Sequence, residues 1–392
     1  MRLERSDWLL AGAVLAVKLA TLLYGVIAYG LVSEGSVGSF SGVLGLWNHW
    51  DTPHYLDVAN WGYLAADPSV PGAVEPDACY RPTFSKTCDL DLFIVFYPLY
   101  PWLTAAAKFV LGDVLLSAFV VSGIASLFVA PLLYRLVRIE TDPGVAGRAA
   151  IFALIFPTAY FLHIGYTEAL FMALVLGSFL AARTDRWWLA GLLGGLAALT
   201  RVNGLILVPA LAAEAATQWF GRPPAERRVR PEWLAIGLVL VGFGVYLGVN
   251  QAVYGEPFAF LRIQDVHWFK SLAPPWEGIA GVFGWLGNEN PETRLMIGWM
   301  ELLFIGIGLV GTVVVAMRFR PSWFVWMAGN WLLFVSTSFV LSVPRYALTL
   351  FPIYAAMAVL SRRWQVAVAL GAVSLIGYGF FAMKFANGGW AF

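Results

Sequence analysis

The run W-L-L-A-G-A-V-L-A-V-K-L-A-T-L-L-Y-G-V-I-A-Y-G-L-V, from Trp8 to Val32, decides the fold class. It carries one charged side chain, Lys18, and as a helix it is long enough to cross the roughly 30 Å hydrocarbon core of a bilayer. It is longer than the apolar core of a secretory signal peptide, and no A-x-A-like cleavage site follows at once. We therefore expect a retained first transmembrane helix.

The rest of the chain has the same apolar character. Of its 392 residues, 60% are hydrophobic and 12% are charged, whereas soluble domains usually carry about 25% charged residues. This composition predicts an all-α polytopic integral membrane protein that has membrane lipids as partners. The net charge of +1 provides no bulk attraction to nucleic acid, so we expect no nucleic-acid partner.

Hydrophobic runs separated by basic or proline-rich turns predict about eleven membrane-spanning helices in one membrane domain, residues 1–392. Two long polar segments interrupt them, at residues 33–113 and 254–294. The run Phe96–Gly112 is short and contains prolines, so we interpret it as a helix at the membrane surface; the alternative is a short span. The predicted spans are residues 7–32, 114–137, 148–165, 167–182, 187–199, 204–219, 232–253, 295–317, 322–341, 346–360 and 366–383.

Arginine placement predicts the orientation of the chain. Cytoplasmic loops carry an excess of Lys and Arg, and a cytoplasmic N-terminus puts most arginines inside. Both long polar segments and the C-terminus then lie outside the cytoplasm. The predicted cytoplasmic arginines include Arg135, Arg138, Arg183, Arg186, Arg227, Arg228, Arg318 and Arg320.

The two cysteines, Cys79 and Cys88, lie in the first polar segment. Disulfides persist in oxidising compartments, and this segment is predicted to be extracytoplasmic. We therefore expect a disulfide between them, and the alternative is two free thiols.

The most polar motif of the chain is W-D-T-P-H-Y-L-D-V-A-N-W-G-Y, from Trp50 to Tyr63. Proline fits the first turn of a helix, so Pro53 predicts a helix with Asp51 or Thr52 at its cap. Residues three or four apart share a helix face. A carboxylate and the imidazole of His54 would therefore lie side by side.

Three further motifs send polar groups to the same predicted side of the membrane. They are Y-T-E at residues 166–168, T-R-V-N-G at 200–204 and S-V-P-R-Y at 342–346. Charged side chains near a membrane span are costly and usually have a functional reason. We therefore predict one shared cavity, in which the substrate-binding residues are His54, Tyr55, Glu168, Arg201, Asn203, Arg345 and Tyr346.

Each of these charged residues also has a structural explanation. Asp51 could merely cap a helix, Glu168 suits the first turn of a helix dipole, and His54 could be a structural histidine. Arg201 could pair with Glu168, and Arg345 could extend to the membrane interface. One shared site explains all of them together.

A cavity of this kind suits transfer of a group from a lipid-linked phosphate. Asp51 would deprotonate an acceptor hydroxyl, and the cationic groups would stabilise the departing phosphate. The chain has no H-E-x-x-H, Walker, G-x-S-x-G or zinc-type motif, so we assign no metal ligand and no cofactor. A transporter should show repeated halves and charges at mid-span, whereas these charges gather at one level.

The motifs together resemble those of the PIG-V family, the GPI mannosyltransferase 2 family of polytopic glycosyltransferases. They occur in order between Trp47 and Pro352, as W-D-x-x-H-Y-x-x-V-A-x-x-G-Y, F-Y-P-L-Y-P, Y-T-E-A-L-F, T-R-V-N-G and S-V-P-R-Y-x-L-x-x-F-P. The arginine-rich composition leads us to expect a prokaryotic homologue, located in the plasma membrane; a eukaryotic protein would be in the endoplasmic reticulum.

The resemblance implies a GT-C fold with juxtamembrane helices and transfer of mannose from polyprenyl- or dolichyl-phosphate mannose, with inversion. It places the catalytic acid in the first outer loop, on Asp51. The expected acceptor is a lipid-linked or glycan hydroxyl, and the alternative reaction transfers another sugar, such as arabinose or glucose.

Overall fold

The computed structural model describes residues 4–63 and 90–392, which fold into helices joined by turns. Within this part of the chain, β pairing is limited to one isolated bridge between Leu272 and Thr337. A π-helical turn, Arg294–Trp299, directly precedes a long helix. The α-helices are α1 (Arg5–Val32), α2 (Phe40–Gly45), α3 (Asp51–Trp61), α4 (Leu99–Leu111), α5 (Val114–Glu140), α6 (Pro143–Ile155), α7 (Glu168–Arg183), α8 (Trp187–Ala198), α9 (Leu207–Phe220), α10 (Leu238–Tyr254), α11 (Ala259–Trp268), α12 (Pro275–Gly284), α13 (Pro291–Thr293), α14 (Met300–Arg318), α15 (Pro321–Val335), α16 (Val343–Ala347), α17 (Pro352–Leu360) and α18 (Trp364–Ala386).

Five helical stretches of the described residues are long and apolar enough to cross a membrane. Each contains at least 23 residues and has a mean hydropathy of at least 1.9 over its most apolar window. A membrane-spanning helix needs about 20 apolar residues, so the chain is an all-helical polytopic integral membrane protein. The five stretches are Arg5–Val32, Val114–Glu140, Pro231–Tyr254, Pro291–Arg318 and Trp364–Ala386.

The prediction of about eleven spans is wrong, because several apolar runs fold as shorter helices. α8 has 12 residues and α17 has 9, which makes them about 18 Å and 14 Å long. Their small side chains are fully buried, as at Ala190 in α8 and Ala355 in α17. α8 also exposes Trp188 and Leu192, so these runs are apolar without being long enough to span, and hydropathy without helix length overcounts the spans.

Prolines break two of the predicted helices, and a third, 322–341, ends early without one. The residue before a proline is pushed out of the helical region, and Phe156, before Pro157, has ψ 146°. The predicted helix 148–165 therefore ends at Ile155. The predicted helix 346–360 is divided into α16 and α17, since α17 begins at Pro352. The predicted helix 322–341 ends at Val335.

Three largely irregular segments, which contain only short helical turns, lie at one end of the helices: residues 156–167, 199–206 and 336–351. α7 and α8 are joined by a three-residue turn, so the start of α7 and the end of α8 lie at the same end. Irregular backbone near a membrane is tolerated where protein buries it or where it lines a cavity. The fold therefore concentrates non-helical backbone where the predicted site residues occur.

Close packing of glycines positions the segment after α8. A Cβ added to Gly242 of α10 would lie 2.0 Å from the carbonyl oxygen of Gly195 in α8. A Cβ at Gly191 would lie 1.9 Å from the carbonyl oxygen of Ala235. Small residues let membrane helices approach this closely. The contact fixes the position of α8, which ends three residues before Arg201.

Two predictions concern regions that the fold leaves untested. Cys79 and Cys88 lie outside the described residues, so their disulfide stays a prediction. α4 has 13 residues, about 20 Å of helix, which is shorter than a bilayer core of about 30 Å. Its location at the membrane surface also stays a prediction.

Candidate active site

Four charged side chains meet where the irregular segments converge, and we call them the site cluster: Asp51, Glu168, Arg201 and Arg345. Arg345 Nη1 lies 2.7 Å from Asp51 Oδ2, and Arg345 Nε lies 3.3 Å from Glu168 Oε1. Arg201 Nη1 lies 2.5 Å from the same Glu168 oxygen. The structure thus brings together the four charged groups that the sequence predicted to share a cavity.

Asp51 is the first residue of α3, and Trp50 is its N-cap. The alternative in which Asp51 merely caps the helix is therefore wrong. The preceding residue, Trp50, has φ +57°, a conformation that is rare for a bulky side chain and typical of functional sites. The Asp51 N–H donates to the Tyr166 hydroxyl at 3.2 Å, and that hydroxyl donates to the His49 carbonyl at 3.0 Å. The backbone of Asp51 is therefore fixed while its carboxylate remains available for other contacts.

The two acids of the site cluster differ in accessibility. The Glu168 side chain is fully buried and paired with two arginines, whereas the Asp51 side chain is 22% exposed. Burial raises the pKa of the Asp51 carboxyl, but the charge and hydrogen bond of Arg345 outweigh burial and hold this pKa below its ordinary value. Asp51 is therefore ionised at neutral pH and is the acid that an approaching molecule can reach.

Three cations surround the ring of Tyr346. The charged groups of Arg201, Lys270 and Arg345 each lie 5.4 Å from its centroid. Burial raises the pKa of the Tyr346 hydroxyl, but the three positive charges outweigh burial and lower this pKa. Three cations gathered at one ring favour an anionic ligand.

Lys270 is a residue that the sequence analysis did not include in the site. Its Nζ donates to the Leu341 carbonyl at 3.1 Å and lies 3.5 Å from the Tyr346 hydroxyl. The adjoining N–H of Ser271 donates to the Ser338 hydroxyl at 2.9 Å. These contacts attach the second polar segment to residues 336–342. They join parts of the chain about 70 residues apart, so no local motif indicates them.

A second set of contacts that sequence reasoning missed involves residues 389–392. The Trp50 indole donates to the Gly389 carbonyl at 3.2 Å, and its ring meets that of Trp390 edge-on at 4.8 Å. Arg345 Nη1 also donates to the Phe392 carbonyl at 3.3 Å. This segment therefore packs against both Trp50 and Arg345.

His54 and Tyr55 form an aromatic wall beside Asp51. The His54 ring lies 4.9 Å from Phe96 and 6.1 Å from Trp268, and it is 4% exposed. The Tyr55 ring packs edge-on against Phe96 at 5.0 Å, and burial raises the pKa of its hydroxyl, which stays neutral. Both predicted residues thus lie next to the site cluster.

Asn203 is paired with a neighbouring helix, and its predicted role in substrate binding stays a prediction. Its side-chain amide donates to Asn330 Oδ1 of α15 at 2.9 Å, and both residues are buried. Asn330 in turn donates to the Trp326 carbonyl within α15. The amide of Asn203 therefore ties the segment after Arg201 to a neighbouring helix.

The arrangement offers an accessible ionised carboxylate within hydrogen-bond distance of a cation in a positively charged pocket. Such a pair can accept a proton at Asp51 while the cations stabilise negative charge on a departing group. Among residues 4–63 and 90–392, no group of three or more His, Cys, Asp or Glu side chains could hold a metal ion.

Residues 29–247 match the mannosyltransferase (PIG-V) family, which covers more than half of the chain. The chain belongs to the PIG-V mannosyltransferase family. The matched range includes Asp51, Glu168 and Arg201, while Lys270 and Arg345 lie beyond it.

Two similar members of the PIG-V family are mammalian. The chain is 29% identical over 180 residues to GPI alpha-1,6-mannosyltransferase 2 of Rattus norvegicus, which is 45% of this chain and 34% of that protein. It is 30% identical over 178 residues to the Mus musculus protein of the same name, 45% of this chain and 33% of that one. The similarity thus spans about a third of the length of these relatives.

The solved structure of ArnT from Cupriavidus metallidurans in the apo state is similar in fold. It superposes with a TM-score of 0.50 and 16% identity, covering 91% of this chain and 62% of that chain. At this identity the likeness shows the fold alone, which is GT-C-like.

Proposed function

We propose that this protein transfers mannose from a polyprenyl- or dolichyl-phosphate mannose to a hydroxyl group of a lipid-linked or glycan acceptor, with inversion at the sugar carbon. The observation that carries the proposal is the site cluster together with Lys270. Arg345 pairs with the accessible carboxylate of Asp51, and Arg345, Arg201 and Lys270 lie around the ring of Tyr346. Membership of the PIG-V family supports mannose as the sugar.

The reaction requires one bond to form and one to break at the sugar carbon. The acceptor oxygen attacks this carbon as the bond to the phosphate oxygen breaks, and the hydroxyl proton passes to Asp51. Arg345, Arg201 and Lys270 stabilise the charge that the departing lipid phosphate gains. Glu168 is fully buried and held by two arginines, so one accessible acid acts, as single-step inversion requires.

A bound phosphate also changes the state of Asp51. In the structure Arg345 pairs with Asp51 and Glu168. A donor phosphate competes with Asp51 for this guanidinium, and its own negative charge raises the pKa of the carboxyl. Donor binding thereby makes Asp51 a stronger base in the donor complex than in the free protein.

An apolar cavity along α7 suits the lipid tail of the donor. It has a volume of about 500 Å³ and lies among α4, α5, α7 and α8. One end contains Leu170, two residues after Glu168, and the other contains Arg186. The side chains along it include Leu103, Val121, Phe128, Leu170, Leu174 and Leu193.

We place the site on the extracytoplasmic face of the membrane. The basic residues at the ends of α5, α7 and α14 lie at the opposite end of the helices from the site cluster, which agrees with the arginine rule. Arg228→Cys should react only with thiol reagents that reach the cytoplasm. Labelling of this variant by a membrane-impermeant reagent from outside the cell would contradict the placement.

The test supplies purified protein in detergent with labelled polyprenyl-phosphate mannose and a set of alkyl mannosides and extracted lipids. We expect a new α-linked mannoside and release of one polyprenyl phosphate per transfer. If the protein used polyprenyl-phosphate glucose or arabinose in preference to the mannose donor, the alternative of another sugar would be favoured. Movement of the lipid across proteoliposomes without a covalent product would favour a transporter, and no consumption of any donor would refute the proposal.

A further inference from the structure

Glu301 is a fully buried acid to which neither the motifs nor the proposed reaction assign a role. It is the second residue of α14, directly after the π-helical turn Arg294–Trp299. Single π-helical turns within α-helices are rare and are found often at functional sites. Since the wider turn changes the angular position of the next residues, it sets the face of the helix on which Glu301 lies.

Both carboxylate oxygens of Glu301 accept hydrogen bonds from backbone N–H groups. The N–H of Ser342 donates at 2.6 Å to Oε1, and the N–H of Val343 donates at 2.8 Å to Oε2. Ser342 has φ +72°, in the left-handed region that disfavours a residue with a Cβ. Glu301 therefore stabilises a turn that the sequence S-V-P would not favour by itself.

This turn determines the direction of Arg345. The Thr158 hydroxyl donates to the Pro344 carbonyl at 2.9 Å, so the turn is held at its N–H groups by Glu301 and at a carbonyl by Thr158. Arg345 follows immediately, with Nη1 2.7 Å from Asp51 and Nε 3.3 Å from Glu168. The orientation of the guanidinium thus depends on a carboxylate one helix away.

We propose that Glu301 is a positioning residue for the donor phosphate, because it fixes the Ser342–Val343 turn and thereby the guanidinium of Arg345. The inference rests on the proposed function, since it assumes that Arg345 holds the phosphate. Glu301 itself touches the backbone of the turn and takes no proton in the reaction.

A buried acid can also serve stability alone, and Glu214 provides the comparison within this chain. Its carboxylate is fully buried and receives the Ser322 hydroxyl at 2.7 Å and Arg320 Nη2 at 2.9 Å. These partners are side chains far from the site cluster. Glu214→Gln is therefore a matched control, which removes a buried negative charge without altering the turn before Arg345.

The first experiment measures steady-state transfer by Glu301→Gln, Glu301→Asp and Glu214→Gln. A glutamine side chain has one acceptor oxygen, and its NH₂ group cannot accept a hydrogen bond. In Glu301→Gln one of the two N–H groups, that of Ser342 or of Val343, therefore loses its acceptor. We expect Glu301→Gln to raise the donor KM about tenfold, the equivalent of one hydrogen bond to a charged group, with the acceptor KM unchanged. Glu301→Asp keeps two acceptor oxygens and should recover part of the loss, and Glu214→Gln should leave the donor KM unchanged.

The second experiment is a double-mutant cycle with Arg345→Lys. If Glu301 acts through Arg345, adding Glu301→Gln to Arg345→Lys should change the donor KM by less than about twofold, because coupled residues are not additive. Fully multiplicative effects, or a donor KM that Glu301→Gln leaves unchanged, would overturn the inference. Should Glu301→Gln fail to fold, Glu301→Asp, which keeps the charge but shortens the side chain, replaces it in the cycle.

Wild-type transfer in the same assay reports separately on the proposed function. If the wild type binds polyprenyl phosphate but transfers no mannose, the proposed function fails, and the cycle is repeated with the dissociation constant of polyprenyl phosphate. Coupling in that constant would support the role of Glu301, and additivity would refute it. Absence of saturable polyprenyl phosphate binding by the wild type would refute both proposals.

Discussion

Two ionic clusters of the same composition lie at the two ends of α7. The site cluster joins Asp51 and Glu168 to Arg201 and Arg345. A far cluster, defined by Glu140, Arg183, Glu214 and Arg320, joins two acids to two arginines near the other end. Glu168 begins α7 and Arg183 ends it, which separates the clusters by about 22 Å.

The far cluster is saturated by its own members. Arg183 pairs with Glu140 and, at 3.3 Å, with Glu214, while Arg320 bonds both Glu214 oxygens at 2.9 and 3.1 Å. Ser322 and Gln218 add two more hydrogen bonds to Glu214. These contacts connect α5, α7, α9 and the start of α15. Because two acids balance two arginines and each is paired within the cluster, no charge is left to bind a ligand.

The site cluster has the opposite character. Asp51 is partly exposed, and Lys270 brings a third cation to the ring that Arg201 and Arg345 share. A strained residue, Trp50, precedes the exposed acid. The comparison shows that the number of charges does not distinguish a site from a structural network. The difference lies in an additional cation and an accessible acid.

The largest expected effect is the loss of turnover when Asp51 is neutralised. Asp51→Asn keeps the size of the side chain but loses the basic carboxylate, and loss of a general base typically costs about 10²–10⁴-fold in rate. We expect this fall in kcat at saturating donor in protein that still folds, since Arg345 keeps its ion pair with Glu168. Asp57→Asn, further along α3, and His54→Ala should cost much less. An Asp51→Asn enzyme that keeps more than about a tenth of the wild-type kcat, a loss below that range, would move the search for the base to His54 or Glu168.

The far cluster should respond in stability instead of turnover. Breaking a buried ion pair by neutralising one partner usually costs about 3–5 kcal/mol, so Glu214→Gln should lower the free energy of unfolding by about this amount. Denaturant titration in mild detergent would measure it. Glu292→Gln removes an exposed partner of Lys384 and, as the control, should change stability by less than about 1 kcal/mol. Equal losses in the two variants would argue against a structural far cluster.

Replacing arginine by lysine separates the clusters by donor affinity. Arg345→Lys keeps the charge but loses the planar fork, and losing a hydrogen bond between charged groups costs about 1.5–3 kcal/mol. The donor KM should therefore rise about tenfold to a hundredfold, with the acceptor KM little changed. Arg320→Lys makes the same exchange in the far cluster and should leave the donor KM alone. An unaltered donor KM in Arg345→Lys would make Arg201 the next candidate for the phosphate.

The smallest expected effect is a shift in pH dependence. Asp51 acts as a base only when ionised, so activity should fall as the pH drops through its pKa. Because Arg345 lowers this pKa, the acid limb of kcat/KM should lie below that of an ordinary carboxyl. Arg345→Gln removes the charge and should move the limb upward by about one unit or more. A limb that stays in place would mean that another group controls it.

The sequence was sufficient to predict the convergence of Asp51, Glu168, Arg201 and Arg345. Charges next to apolar spans are costly, so four of them at one predicted level indicate a common cavity. Lys270 could not be assigned in the same way, because its contacts with Leu341 and Tyr346 exist only after two distant segments pack together.

The errors in the predicted helices have a related physical cause. Hydropathy identifies apolar runs but not where a helix ends, so the short helices α8 and α17 were mistaken for spans. The sequence motif T-R-V-N-G likewise could not reveal that the amide of Asn203 pairs with Asn330 on α15. Pairing across helices depends on tertiary packing, which no local sequence pattern reveals.

The central claim is that the site cluster, and not the far cluster, holds the phosphate of the donor. A cryo-electron microscopy structure of the full chain with polyprenyl phosphate tests this claim most directly. We predict the phosphate within about 3 Å of the guanidinium of Arg345 and of the Nζ of Lys270, beside Asp51, with the lipid tail in the cavity that contains Leu170. A phosphate bound at Arg183 and Arg320, or one that leaves the Arg345–Asp51 pair without contact to the ligand, would contradict the claim.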